Sequence, residues 1–308
     1  MSNEVLVLTE KQITKVIEAY EKVKVTRNAP GVRFAAKTTD TSITIYRSGK
    51  VLFQGAGASR EANRFGSSSK KVATKTKGDL LPENLARLSV VGSDETGTGD
   101  FFGPVTVAAC YVPADKIELV RELGVKDSKQ LTDDLMRQIA PSLEAALIHS
   151  VLTVANVKYN EIQQQGNSQG KIKALLHNQA LKHVLRKMGD EKPDAILIDQ
   201  FAERGVYYNY LKHEPEVVRE NVLLATKAEG LHLSVAAASI LARVAFLEEM
   251  DRLSASVGMI LPKGAGPKVD EVAAKIILKH GEPTLKTMTK WHFANLEKAR
   301  KLVAHRKR

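Results

Sequence analysis

The sequence predicts an α/β protein in which a large domain built on a mixed sheet follows a small α+β domain. Three observations predict this. From Leu88 onward, short apolar runs alternate with longer stretches of helical spacing. Before residue 66, a short amphipathic segment leads into three strand-like ones. Between the two lies a polar, basic stretch poor in large apolar side chains. At 308 residues the chain exceeds the usual size of one domain. Its 43% hydrophobic and 26% charged residues are an ordinary globular composition, which excludes collagenous and fully disordered chains.

In the first region, Ile13, Val16, Ile17, Tyr20 and Val23 recur at helical spacing and give residues 10–23 one apolar face. Strand patterns follow at 32–37, 42–46 and 51–54, with a turn at Arg47-Ser-Gly-Lys50. Alternation in Ser42-Ile-Thr-Ile-Tyr46 implies a sheet with one covered and one open face, so Arg33, Lys37, Thr44 and Gln54 either point towards a ligand or form an ordinary solvated surface. The expected organisation is an N-terminal domain over 1–65, a basic linker over 66–87 and the larger domain over 88–308. In the last, strands are expected near 89–94, 104–112, 147–156, 195–199 and 221–225. Helices are expected over 132–147, 171–188, 235–253, 269–279 and 292–303, the last anchored by Trp291-His-Phe293.

The chain carries 46 Lys and Arg against 35 Asp and Glu, a net charge of +11. Residues 1–87 hold 16 basic and 8 acidic side chains, so most of the excess lies there. This charge suits either a solubilising surface or a polyanionic partner held through phosphates. The single cysteine, Cys110, lies in an apolar run and reads as a small core residue, which excludes an intramolecular disulfide and a cysteine metal cluster. No apolar stretch approaches the roughly 18 residues of a membrane span, and Met1-Ser-Asn-Glu4 does not resemble a signal peptide. A cytoplasmic protein without membrane attachment is expected, and a monomer is the simplest form.

Leu88-Ser-Val-Val-Gly-Ser-Asp94 runs as an apolar strand directly into Glu95 and a glycine-rich loop that ends at Pro104. Paired carboxylates at the mouth of a core are costly unless a cation neutralises them, so Asp94 and Glu95 are either candidate ligands for a divalent metal or a solvated acidic turn, which the apolar strand before them and the glycines after them disfavour. A dinucleotide site is excluded, because the third glycine of Gly97-Thr-Gly-Asp-Phe-Phe-Gly103 is displaced and a strand follows where that motif needs a helix. No Gly-Lys-Ser/Thr occurs either, so no nucleotide cofactor is expected. Asp199 ends a second buried-type strand and Glu229 follows a third, positions where open α/β sheets gather ligands. The eight histidines show no metal-site spacing; His232 is nearest the proposed centre and is expected to serve locally.

Four segments occur in order: Asp94-Glu-Thr-Gly-Thr-Gly-Asp-Phe-Phe-Gly-Pro104, Val125-Lys-Asp-Ser-Lys-Gln-Leu131, Ile196-Leu-Ile-Asp199, and Thr226-Lys-Ala-Glu-Gly230 leading into Ser234-Val-Ala-Ala-Ala-Ser-Ile-Leu-Ala-Arg243. Together they resemble bacterial ribonuclease HIII, of the type 2 ribonuclease H family, over most of residues 88–308. The resemblance implies a ribonuclease H-like mixed-sheet catalytic domain and a small N-terminal domain similar to the TATA-binding protein, which binds substrate. It also implies hydrolysis of the RNA strand of RNA/DNA hybrids, leaving 5′-phosphate and 3′-hydroxyl ends. Asp94, Glu95, Asp199 and Glu229 take the positions of that family's metal-binding carboxylates. They imply two Mg²⁺ or Mn²⁺ ions, one helping to form the attacking hydroxide and the other stabilising the leaving 3′ oxygen.

Gly97, Thr98 and Gly99 would present backbone groups to the ribose 2′-hydroxyl; Lys129 resembles a phosphate contact of the family, with a plain surface lysine as the alternative, and Ser239 and Arg243, four apart on one helix face, could contact phosphate, although helix packing is the role expected of Ser239. Related ribonucleases HII carry Arg between the two glycines, where this chain has Thr98. That departure weighs against cleavage at single ribonucleotides embedded in DNA, which is one alternative reading. A non-catalytic nucleic-acid-binding protein is the other, and the presence of all four carboxylates weighs against it.

Overall fold

The computed structural model describes residues 2–27, 31–65, 78–125 and 131–306. The chain divides into two compact units, Met1–Thr76 and Lys77–Arg308.

The first unit contains β1 (Ser2–Val7), α1 (Glu10–Tyr20), β2 (Val32–Lys37), β3 (Thr41–Tyr46), β4 (Lys50–Gly55) and α2 (Ala58–Asn63). Its four strands form an antiparallel sheet in the order β1-β4-β3-β2. Leu6, Phe34, Ile43, Ile45, Val51 and Phe53 bury one face of this sheet against Ile13, Val16 and Tyr20 of α1, the apolar stripe read from the sequence. Pairing of Ala35 with Thr44, Thr44 with Leu52, and Leu52 with Val5 sets these residues on the opposite face. Lys37, Ser42 and Gln54 share it. Arg33 departs from the expected pattern. It sits at a register shift between Val32 and Phe34 and reaches Glu10 at 2.8 Å, because a bulge re-aims the side chain it contains.

The second unit contains β5 (Val90–Thr96), β6 (Val105–Val112), α3 (Ile117–Glu122), α4 (Asp133–Ala146), β7 (Ile148–Val154), α5 (Asn156–Gln164), α6 (Gln169–Met188), β8 (Ala195–Asp199), α7 (Arg204–Tyr210), β9 (Val222–Ala225), α8 (Leu233–Val257), α9 (Pro267–Thr287) and α10 (Asn295–Arg306). The sheet order is β7-β6-β5-β8-β9, antiparallel through β5-β6-β7 and parallel through β5-β8-β9, the mixed sheet expected. Ala108, Cys110 and Val112 face α8 and α4 on one side. Val91, Val107, Ala109 and Ile198 face α6 and Tyr207 of α7 on the other. A third cluster joins Phe101, Phe102 and the end of α8 to α9 and α10, with Trp291 and Phe293 packed on it.

Caps explain where the major helices begin. Thr132 accepts the Leu135 amide and Ser168 the Lys171 amide, satisfying donors left free in the first turn. Short or weakly amphipathic elements escaped the sequence reading, among them β1, α3, α5 and α7. One boundary is corrected. Residues 78–87, assigned to the linker, belong to the second unit, where Gly78 bridges Ala225, the Asp79 amide donates to Leu224 O and Leu85 is buried. β9 is an edge of the sheet, and this segment covers its unpaired backbone groups. The rest of the expected linker, residues 66–77, lies outside the described residues.

Candidate active site

Asp94 and Asp199 come together through strand register. The parallel pairing of β5 with β8 ends at Ser93 opposite Ile198, so the next residue on each strand is one of these aspartates. β9 continues alongside, with Asp199 opposite Ala225, and the turn at Ala228–Gly230 brings Glu229 to the same end of the sheet. The Ala228 amide donates to Asp199 Oδ1 at 2.8 Å, which ties that turn to the strand beside it.

Successive side chains of a strand point to opposite faces, and β5 uses this directly. Gly92 and Asp94 face α8. A Cβ on Gly92 would lie 2.3 Å from the Val235 amide nitrogen, so only glycine lets α8 approach this closely. The approach lets Ser239 of α8 donate a hydrogen bond to Asp94. Ser93 and Glu95 face α6, where Glu95 meets Lys173 Nζ at 2.7 Å and His177 Nε2 at 2.9 Å. Beyond them Gly97 adopts φ of +91°, and a Cβ there would lie 2.2 Å from Pro104 O. That position demands glycine, whereas nothing lies within 4 Å of a Cβ built on Gly99, so the loop is open on that side.

Asp94, Glu95, Asp199 and Glu229 line one cleft of about 410 Å³, together with Asp133, Ser239 and Arg243. Asp94 is 9% exposed and Glu229 is also buried. Burial, followed by the charges of Glu95 and Asp199, pushes the Asp94 carboxyl up to about 7. Burial also opposes the charge of Glu95, but the hydrogen bonds and charges of His177 and Lys173 outweigh it and hold that carboxyl below its usual range. Among the described residues, no group of three or more histidine, cysteine, aspartate or glutamate side chains is gathered as closely as the ligands of a bound ion. The donor set still fits a hard divalent cation, because it consists of carboxylate oxygens and because burial, followed by the charges of Glu95 and Asp199, already raises the affinity of Asp94 for a positive charge.

The structure gives other sequence candidates different surroundings. Arg243 lines the cleft, but its guanidinium is paired with Asp133 at 2.9 Å, and Lys263 joins the same carboxylate. Lys129 lies outside the described residues. His232 is not at the carboxylates. Its Nδ1 accepts the Ser234 amide and its Nε2 meets Leu88 O, so it caps α8. The histidine that reaches the site is His177, which sequence reading missed, along with Gln169, Lys173 and Asp133. A usable signal existed in the four-residue spacing of 169, 173 and 177 along one helix face.

The family model described as Ribonuclease HII matches residues 91–296, and one described as Domain of unknown function (DUF3378) matches residues 3–78. The chain is 59% identical to the ribonuclease HIII of Lysinibacillus sphaericus, an alignment covering 98% of this chain and all of that one. The chain belongs to the ribonuclease HIII family. The crystal structure of Bst-RNase HIII in complex with Mn²⁺ is 45% identical, covers 99% of this chain and 100% of that one, and superposes with a TM-score of 0.72. A ribonuclease H2 from Pyrococcus horikoshii OT3, at 25% identity and a TM-score of 0.56, places its whole length on 72% of this chain. Membership of the ribonuclease HIII family and the matching fold make the chain a ribonuclease H hydrolase.

Proposed function

We propose that the chain is an endoribonuclease that hydrolyses the RNA strand of RNA/DNA hybrids, leaving 5′-phosphate and 3′-hydroxyl ends, with Asp94, Glu95, Asp199 and Glu229 holding two divalent ions. One observation carries this reading: four carboxylates from three neighbouring strand ends line one cleft, where burial, and after it the charges of Glu95 and Asp199, push Asp94 up to about 7. The ions would supply Lewis-acid stabilisation of charge developing at the scissile phosphate. The Mn²⁺ complex of Bst-RNase HIII supports a divalent metal and leaves Mg²⁺ equally suited to the oxygen donors.

The protein's own residues do the positioning. Ser239 orients Asp94 and the Ala228 amide orients Asp199, while Glu95 meets Lys173 and His177 of α6. Gly97, Thr98 and Gly99 form the edge at which a ribose 2′-hydroxyl would meet backbone groups, which is how RNA is told from DNA. Arg243 sits where a phosphate would pass, with Asp133 fixing its guanidinium, and Lys129 is a further phosphate contact in this reading. The N-terminal unit would bind the hybrid through the sheet face that carries Lys37 and Gln54. The enzyme is expected to act as a cytoplasmic monomer. Among the described residues no helix is long and apolar enough to cross a membrane.

The test is cleavage of three matched labelled duplexes in Mg²⁺, Mn²⁺ or EDTA: a uniform RNA/DNA hybrid, a DNA duplex with one ribonucleotide, and all-DNA. Metal-dependent cutting of the hybrid alone is expected. Strong cutting at the single ribonucleotide would move the specificity to that of ribonuclease HII, and binding without cutting would leave a non-catalytic protein.

A further inference from the structure

We propose that His177 is a positioning residue that aims Glu95 into the cleft, and that α6 thereby sets the carboxylate and the glycine loop in register. This inference rests on the reading of Glu95 as a metal-binding carboxylate. Glu95 leaves β5 on the face away from Asp94, so something must direct its carboxyl back towards the sheet end that it shares with Asp199 and Glu229. One face of α6 does so with three residues spaced four apart. Gln169 Nε2 donates to Thr98 O at 2.9 Å, Lys173 Nζ to Glu95 Oε1 at 2.7 Å, and His177 Nε2 lies 2.9 Å from Glu95 Oε2.

His177 is the fixed point of this set. It is 0% exposed and its ring stacks on Phe201, two residues beyond Asp199. Its Nδ1 lies 2.6 Å from the hydroxyl of Ser93, on the same strand and face as Glu95. An ionised carboxylate only accepts hydrogen bonds, so Nε2 carries the proton and donates to Glu95, leaving Nδ1 to pair with Ser93. Ser93, His177 and Glu95 thus close a small ring in which the imidazole has one orientation, and Lys173 lies over Phe201 at 4.2 Å against the other carboxylate oxygen. Such a partner is expected to affect metal affinity through the geometry of the ligand it holds.

Two substitutions separate positioning from packing. In His177→Gln the amide N–H replaces the donor at Nε2, whereas in His177→Asn the shorter amide reaches only the Nδ1 position and the donor to Glu95 is lost. The full chain is titrated with Mn²⁺ alone by water-proton relaxation, beside Glu95→Gln and with a urea midpoint for each variant. We expect Asn to raise the Mn²⁺ dissociation constant by about 10-fold, and Gln to return it to within about 3-fold of the unsubstituted chain. Binding unchanged by His177→Asn but weakened by Glu95→Gln would overturn the positioning role and leave the metal reading standing. Equal weakening by both His177 variants would show a packing role and overturn it too. Unweakened binding in Glu95→Gln would remove the metal reading and this inference with it. Should both His177 variants fail to fold, Ser93→Ala removes only the hydroxyl at Nδ1, and an unchanged Mn²⁺ affinity there overturns the proposal.

Discussion

Asp94 and Glu95 are consecutive on β5, yet their carboxyls leave the sheet on opposite faces, Asp94 to Ser239 of α8 and Glu95 to Lys173 and His177 of α6. The alternation of a strand produces this division, and it gives the two acids unequal surroundings. Glu95 has a lysine beside it, whereas Asp94 feels the charges of Glu95 and Asp199.

Substituting Asp94 by Asn should therefore separate function from folding. The change removes a repelled charge from a buried position, so the urea midpoint of the metal-free protein at pH 8 should stay level or rise. Cleavage at saturating hybrid should fall by about 10³-fold, the scale of a lost metal contribution of several kcal/mol. A variant that binds hybrid poorly but turns over normally would contradict the role given to Asp94.

Lys290 is fully buried, and its ammonium donates to the carbonyl oxygens of Gly103 at 2.6 Å, Asp100 at 2.8 Å and Pro104 at 3.2 Å. Burial draws its pKa down to about 7, with the Asp100 charge acting in the other direction. Three acceptors match the three N–H groups of an ammonium and clamp the far end of the glycine loop to the segment before α10. Lys290→Met should cost about 2–3 kcal/mol in urea unfolding, because those carbonyls lose a buried partner. Stability within 0.5 kcal/mol of the unsubstituted chain, about the scatter of neutral substitutions, would show that the clamp contributes nothing.

His232, capping α8 in a buried site, is pulled down from 6.5 to about 4 by burial, against the hydrogen bond to Leu88 O. Its folded pKa lies below the unfolded value, so the unfolded chain takes up the proton first as pH falls. The stability is fully present above pH 6.5 and is lost progressively down to about pH 4. The loss should reach about 3 kcal/mol from this group. His232→Asn keeps a cap acceptor without the titration, so urea midpoints of the variant should fall less between pH 7 and 4.5. Parallel pH profiles would refute this assignment.

Deleting residues 1–76 removes a unit with its own buried core and should leave the second unit folded. Hybrid binding should weaken much more than turnover at saturation. The slope of log affinity against log salt should also flatten by about 0.7–0.9 for each phosphate that the shortened chain no longer neutralises. Equal affinity and equal slope would show that the basic excess of this region plays no part in binding.

Local signals made much of the fold legible. α6 and α8 follow from helical spacing and β6 and β8 from short apolar runs, since these signals lie within a few residues of what they specify, although α6 begins at Gln169 behind its Ser168 cap, two residues before the expected start. The four carboxylates stood out as acids at or after strand ends. His177 did not stand out, because a histidine inside an amphipathic helix reads as one more core or surface residue until its neighbour is known.

By itself, then, the sequence determined the mixed α/β class, the basic excess near the N-terminus, the glycine-rich loop that follows Asp94 and Glu95, and the family resemblance. Each of these is written in composition or in residues close along the chain. Tertiary structure decided which partner each acid meets. The parallel register of β5 with β8 brought Asp94 beside Asp199, and the strand's alternation sent Glu95 to α6. It also paired Arg243 with Asp133 and drew residues 78–87 onto the edge of β9. Those pairings join positions some 80 to 145 residues apart, such as Glu95 with His177 and Asp79 with Leu224, and only packing of the whole sheet against its helices fixes them.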